Sequence, residues 1–149
     1  MRWFTREWLH ADEGDGIGVA YTAHLAAIAT QLHSGAQSLP DIDLHDGQVR
    51  RYSLEDGVFA MTVLIGDLEV GYEWLSLRYE GAELIGLPRD GIRRLRLRAR
   101  RTELLYDEID LAPGDLFEHR MLLWPRRELC IRFSSVAIER RPADDTARR

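Results

Sequence analysis

The sequence predicts an α+β domain, with a long N-terminal helix packed on a mostly antiparallel sheet or two-sheet sandwich of about six to eight strands. Three observations lead there. Ile17, Tyr21, Leu25, Ile28 and Leu32 recur at helical spacing in an alanine-rich stretch. From Val49 onward the apolar period changes to two. Turn signals at Glu55-Asp56-Gly57, Pro113-Gly114 and Trp124-Pro125 then cut the second half into short strands.

Thr5 is placed to cap a short helix holding Trp8 and Leu9. Glycines 14, 16 and 18 break it, and Asp15 caps the longer helix, about residues 17–33. Ser34-Gly35 stops that helix, and residues 39–47 read as a loop punctuated by Pro40 and Gly47. Strands follow at residues 49–54, 58–65 and 72–79. The second is almost continuously apolar, as strands buried on both faces are. Residues 92–101 fit either a strand or a short helix, and the sequence leaves the choice open. Strands at 102–111, 117–124 and 128–133 come next, and Val136–Arg141 continues or pairs beyond Ser134-Ser135. Pro125 suits the first central position of a type I turn. Residues 1–141 form one domain and 142–149 a frayed tail.

Composition removes several chemistries. All 20 basic Lys+Arg positions are arginine, and there is no lysine or asparagine, the bias of a GC-rich bacterial genome. Without lysine there is no Schiff base and no phosphate-loop lysine. Without asparagine there is no Cys-His-Asn arrangement. No apolar run is long enough for a membrane-spanning helix, and the opening residues lack the apolar core of a signal peptide. The single cysteine, Cys130, lies in a strand and reads as an inert buried thiol of a reducing cytoplasm.

One stretch concentrates chemistry. Residues 104–124 gather Asp107, Glu108, Asp110, Asp115, Glu118 and His119 around one turn. In a four-residue turn Glu108 faces His119 and Asp107 faces Arg120; a one-residue bulge puts Asp107 or Ile109 opposite His119 instead. The structural reading is a set of cross-strand ion pairs, each contributing about 0.2–1 kcal/mol. The functional reading is an acid/base or metal cluster of His119 with Asp107 and Glu108, joined by His45 and Asp46. One nearby histidine is few for zinc. Residues 41–47 resemble the start of a calcium loop, but Asp46 occupies the glycine position and Tyr52 the closing glutamate position. Glycines 14–18 follow a helix rather than a strand, against a dinucleotide fingerprint. His24 and His33 are spaced wrongly for one helix face. Trp74 and Tyr72 suggest a small-ligand pocket as a further alternative.

The net charge of −5 conceals seven arginines between residues 89 and 101. Arg94, Arg96, Arg98 and Arg100 would form a charged edge or a surface for an acidic or mixed-charge protein partner. No aromatics interleave with them, which argues against nucleic acid.

The order of WFTREW, LHDG, GDLEVGY, LLYDEID and FEHRMLLWPRRELCIRF resembles an uncharacterised bacterial protein family over most of the chain. The resemblance implies a small cytoplasmic α+β protein and carries no catalytic residues. The last of these motifs also looks like the closing hairpin of small β-rich toxin-immunity proteins, a fold-level likeness. The expectation is a non-enzymatic protein-binding domain, toxin-neutralising in its narrower form, with no cofactor. The alternative is a small metal-binding or metal-assisted hydrolytic domain using the acidic hairpin and His119.

Overall fold

A computed structural model of the chain describes residues 1–10, 16–87, 91, 102–125, 127–144 and 147. Among these, the helices are α1 (Arg6–His10) and α2 (Gly16–Ile28), with 3-10 turns at Ala29–Gln31 and Ala36–Asp41. Eight strands follow: β1 (Gln48–Glu55), β2 (Val58–Asp67), β3 (Gly71–Glu80), β4 (Glu83–Ile85), β5 (Thr102–Ala112), β6 (Leu116–Trp124), β7 (Arg127–Phe133) and β8 (Ser135–Pro142). They make one antiparallel sheet in the order β4-β7-β6-β5-β1-β2-β3-β8.

The sheet closes on itself. β3 runs into β4 through Gly81-Ala82, and β7 runs into β8 through Ser134. The two long strands stay paired across both bends: Glu80 faces Ser135 on one side and Glu83 faces Arg132 on the other, three residues on in each strand. Ser134 N–H and its hydroxyl both donate to the Glu80 carbonyl, at 3.0 and 3.1 Å, and hold the corner. At the opposite corner β1 and β5 share only two residue pairs, Gln48 with Glu103 and Val49 with Thr102. Strands that switch sheets at bends are how two packed sheets become one wrapped layer.

This overturns the α+β expectation of a long helix lying on a sheet. α2 and its 3-10 extension end at Gln31, and Ile28 is the one buried residue of α2. Alanine propensity favours a longer helix, but tertiary demands override it. The chain turns at Leu32 to drive Leu32, Ala36, Leu39, Ile42 and Leu44 into the same core as the strands. α2 serves a different purpose, covering the open seam between β1 and β5. There the Ile109 N–H donates to the Tyr21 hydroxyl at 2.7 Å, and the His45 ring donates to the Leu105 carbonyl. An unpaired strand edge is thereby satisfied and hidden.

The interior follows from alternation. Val63, Phe59, Leu75, Leu77, Tyr79, Phe117, Met121, Ile131 and Phe133 are at most 1% exposed, each large side chain stabilising by about 1.5–3 kcal/mol. β2 is not buried evenly on both faces, since its first half alternates between half-buried and buried positions. The Trp124–Pro125 peptide is cis. β8 runs to the end of the predicted domain: Arg140, Arg141 and Pro142 pair with β3, and the Ala143 N–H donates to the Tyr72 carbonyl at 2.8 Å. No helix among the described residues is long and apolar enough to cross a membrane.

Candidate functional site

The β5–β6 hairpin has a three-residue loop, Pro113-Gly114-Asp115, with Ala112 opposite Leu116. This odd loop shifts the register away from the four-residue turn. Ile109 faces His119, and Glu108 faces Arg120. A second shift at Leu105 completes the pattern. Because side chains alternate, His119 and Asp107 point inward on one face, while Glu108, Asp110, Glu118 and Arg120 point outward.

Inside, His119 is fully buried between two partners. Its Nε2 lies 3.0 Å from Asp107 Oδ2 and its Nδ1 lies 2.7 Å from the Tyr79 hydroxyl. A carboxylate only accepts, so Nε2–H donates to Asp107, and in the neutral ring the Tyr79 O–H donates to Nδ1. Burial pushes the Tyr79 phenol well above its ordinary value, and the Asp107 charge adds to this, so the hydroxyl keeps its proton. Every polar atom of the imidazole is used. No lone pair is left for a metal, and the clefts beside the loops and helices are lined by other residues.

Outside, the acids form a network covered by the N-terminal strap. Glu108 is 0% exposed and accepts the backbone N–H groups of Arg2 and Trp3, the latter at 2.7 Å. Arg120 Nη1 stands 4.0 Å from Glu108 and 3.3 Å from Asp110. Asp110 also takes His24 Nε2 at 3.0 Å and Arg2 at 3.3 Å. Burial would raise the Asp110 pKa, but the Leu111 amide, His24 and Arg120 outweigh it and hold it below the usual carboxylate range. Glu118 behaves alike: burial opposes, while hydrogen bonds from Arg132 and Arg120 prevail. Phe4 stacks on Tyr106 at 5.2 Å and meets Trp8 and Tyr21 edge-on, so the strap is also held by an aromatic cluster.

The five candidate residues therefore divide. His119 and Asp107 meet inside, and Glu108 lies on the opposite face. His45 and Asp46 pair with each other at 3.7 Å on the surface, where His45 also packs on Tyr106. Among the described residues no three His, Cys, Asp or Glu side chains are grouped to hold a metal ion. Arg94, Arg96, Arg98 and Arg100 lie outside the described residues. Cys130 is half-buried rather than buried, and burial raises its thiol pKa. Sequence reasoning missed Tyr79, Tyr21, His24, Arg2 and Trp3 as partners. Tyr79 left a signal, sharing an alternating row with Leu75 and Leu77, and Tyr21 another, lying in the helical stripe.

Known protein families, characterised proteins and solved structures offer no match to this chain.

Proposed function

We propose that the chain is a non-enzymatic protein-binding domain whose contact surface is the β2–β3 hairpin tip. One observation carries this reading. Leu68 and Val70 stand 84% and 82% exposed on a short, braced loop, where Asp67 Oδ1 accepts the Glu69 and Val70 N–H groups at 2.7 and 2.9 Å. Exposed apolar side chains on a braced backbone are suited to binding, because the loop itself needs less ordering. Beside them a cleft of about 490 Å³ is lined by Asp41, Asp43, Asp46, Asp67 and Glu73, with Arg140 the one arginine among the described residues. The complement is a mixed-charge protein surface with an apolar recess and basic surroundings.

The saturated imidazole of His119 supports the non-enzymatic half of the reading. A toxin neutraliser is the narrower form, resting on the likeness of the closing hairpin; a toxin gene beside the coding gene would support it. The lone unpaired cysteine supports a reducing, cytoplasmic setting. The test compares proteins captured from the source cell by the unaltered chain and by a Leu68→Ser, Val70→Ser variant of equal melting temperature. Loss of a specific partner in the variant is expected. Identical capture by both, or no specific capture at low salt, overturns the proposal.

A further inference from the structure

The outer face of β1, β2, β3 and β8 carries a feature that protein docking at the hairpin tip does not use. The register of β1 against β2 shifts between Val49 and Arg51, so Arg50 is an extra residue. A bulge of this kind lets two successive side chains serve one face. Arg50 and Arg51 accordingly line one groove, of about 450 Å³, with Thr62, Trp74, Arg141 and Pro142. Leu64, 2% exposed and outside the interior cluster, lies opposite Trp74 in the ladder.

The guanidiniums are unequally occupied. Arg50 lies over the Trp74 ring at 5.9 Å and donates from Nη2 to Gln48 Oε1 at 2.9 Å and to the Ala147 carbonyl. Its Nε is shielded from water and finds no acceptor. Arg141 meets one exposed carboxylate, Glu139, at 3.5 Å. Three guanidiniums line the groove, and among the described residues Glu139 is the carboxylate seen paired with one of them. Like charges on neighbouring strands repel, so an anion placed among these guanidiniums relieves that repulsion.

We propose that the groove is a binding site for a phosphate monoester dianion. Clustered guanidiniums favour a dianion over a monoanion, their forks suit phosphate oxygens, and the Trp74 and Pro142 surfaces receive the apolar part of the ester. A carboxylate brings one charge.

The test is calorimetric titration of the intact chain with phenyl phosphate, inorganic phosphate and benzoate at low salt and pH 7.5. One phenyl phosphate per chain is expected, with inorganic phosphate weaker and benzoate weakest. Arg51→Gln and Arg141→Gln should each weaken phenyl phosphate about tenfold, the loss of a charge-assisted contact. Arg78→Gln, on an arginine paired with Glu80 at 2.8 Å, should change nothing. Binding should also fall about tenfold between pH 7.5 and pH 5, as the phosphate takes up its second proton near pH 6. Replacing phenyl phosphate by AMP or by phosphotyrosine assigns the natural source, nucleotide or modified side chain; either preference supports the site. Benzoate binding as well as phenyl phosphate overturns the proposal. So does indifference to both arginine variants, or no heat at about ten millimolar ligand. A single-stranded oligonucleotide that binds more tightly than every monoester would overturn it in favour of a strand-binding face.

Discussion

Replacing Glu108 by glutamine tests whether one buried carboxylate holds the N-terminal strap. The carboxylate is fully buried and receives two backbone N–H groups, from Arg2 and Trp3, with Arg120 at 4.0 Å. Glutamine is isosteric but has one acceptor oxygen and two donor hydrogens. One N–H keeps a neutral partner; the other meets an amide NH₂. Hydrogen bonds to charged groups contribute about 1.5–3 kcal/mol each, and an unsatisfied buried donor costs a similar amount. The net loss is about 3 kcal/mol, which at this size lowers the melting temperature by about 6–12 °C. The strap can also undock without unfolding the barrel, which rehydrates residue 108 and caps the global loss. Amide exchange is therefore the decisive readout: the Trp3 N–H should lose protection while Leu77 and Ile131 keep theirs. Calorimetry within about 2 °C of the unaltered chain, together with a still-protected Trp3 amide, would refute the reasoning.

Three further outcomes are expected. Tyr79→Phe leaves His119 Nδ1 without its donor in a dry interior; a loss of about 1–3 kcal/mol is expected in urea unfolding, and no loss would mean another donor has moved in. Asp110 and Glu118 hold folded pKa values below their unfolded ones, so their stabilisation is present above about pH 4 and lost as pH falls through the lower folded values. A melting temperature that drops between about pH 4 and pH 2, with a shallower drop in Asp110→Asn, checks this. Gly35 adopts φ of 91°, and a Cβ there would lie 1.9 Å from the Val136 carbonyl oxygen; Gly35→Ala should cost about 2 kcal/mol or more in chemical denaturation.

The strands were legible because alternation survives in the sequence. Leu75, Leu77 and Tyr79 mark one face, and Glu55-Asp56-Gly57 marks a tight turn, with Asp56 and Gly57 both at positive φ. Closure was not legible. Gly81 and Ser134 look like strand ends, yet each is a corner through which pairing continues. Hairpin register was also hidden, since Pro113-Gly114 does not announce whether Asp115 belongs to the loop or the strand. The helix length failed for a different reason: alanine propensity is local, while Leu32 and Ala36 answer to a core built mostly from later strands. The Glu108 partners could not be found at all. They are backbone amides more than a hundred residues away, and a main-chain donor leaves no mark on residue identity.

One hairpin thus sends its chemistry in two directions. A shift of one residue would exchange the faces, placing Glu108 and Arg120 inside and His119 and Asp107 outside. The observed register fits each group to its surroundings. Inside, a single imidazole is satisfied by a hydroxyl and a carboxylate whose side chain is 20% exposed. Outside, Asp110, Glu118, Arg120 and Arg132 neutralise one another. Acids and a histidine that suggest a site in one dimension are therefore consumed in three. What remains unspent lies elsewhere: the Leu68 and Val70 knuckle, and arginines drawn onto one face by a bulge. Both are outer-surface features built by turns and register shifts, not by alternation, which is why the period-two pattern that reveals the strands does not mark them.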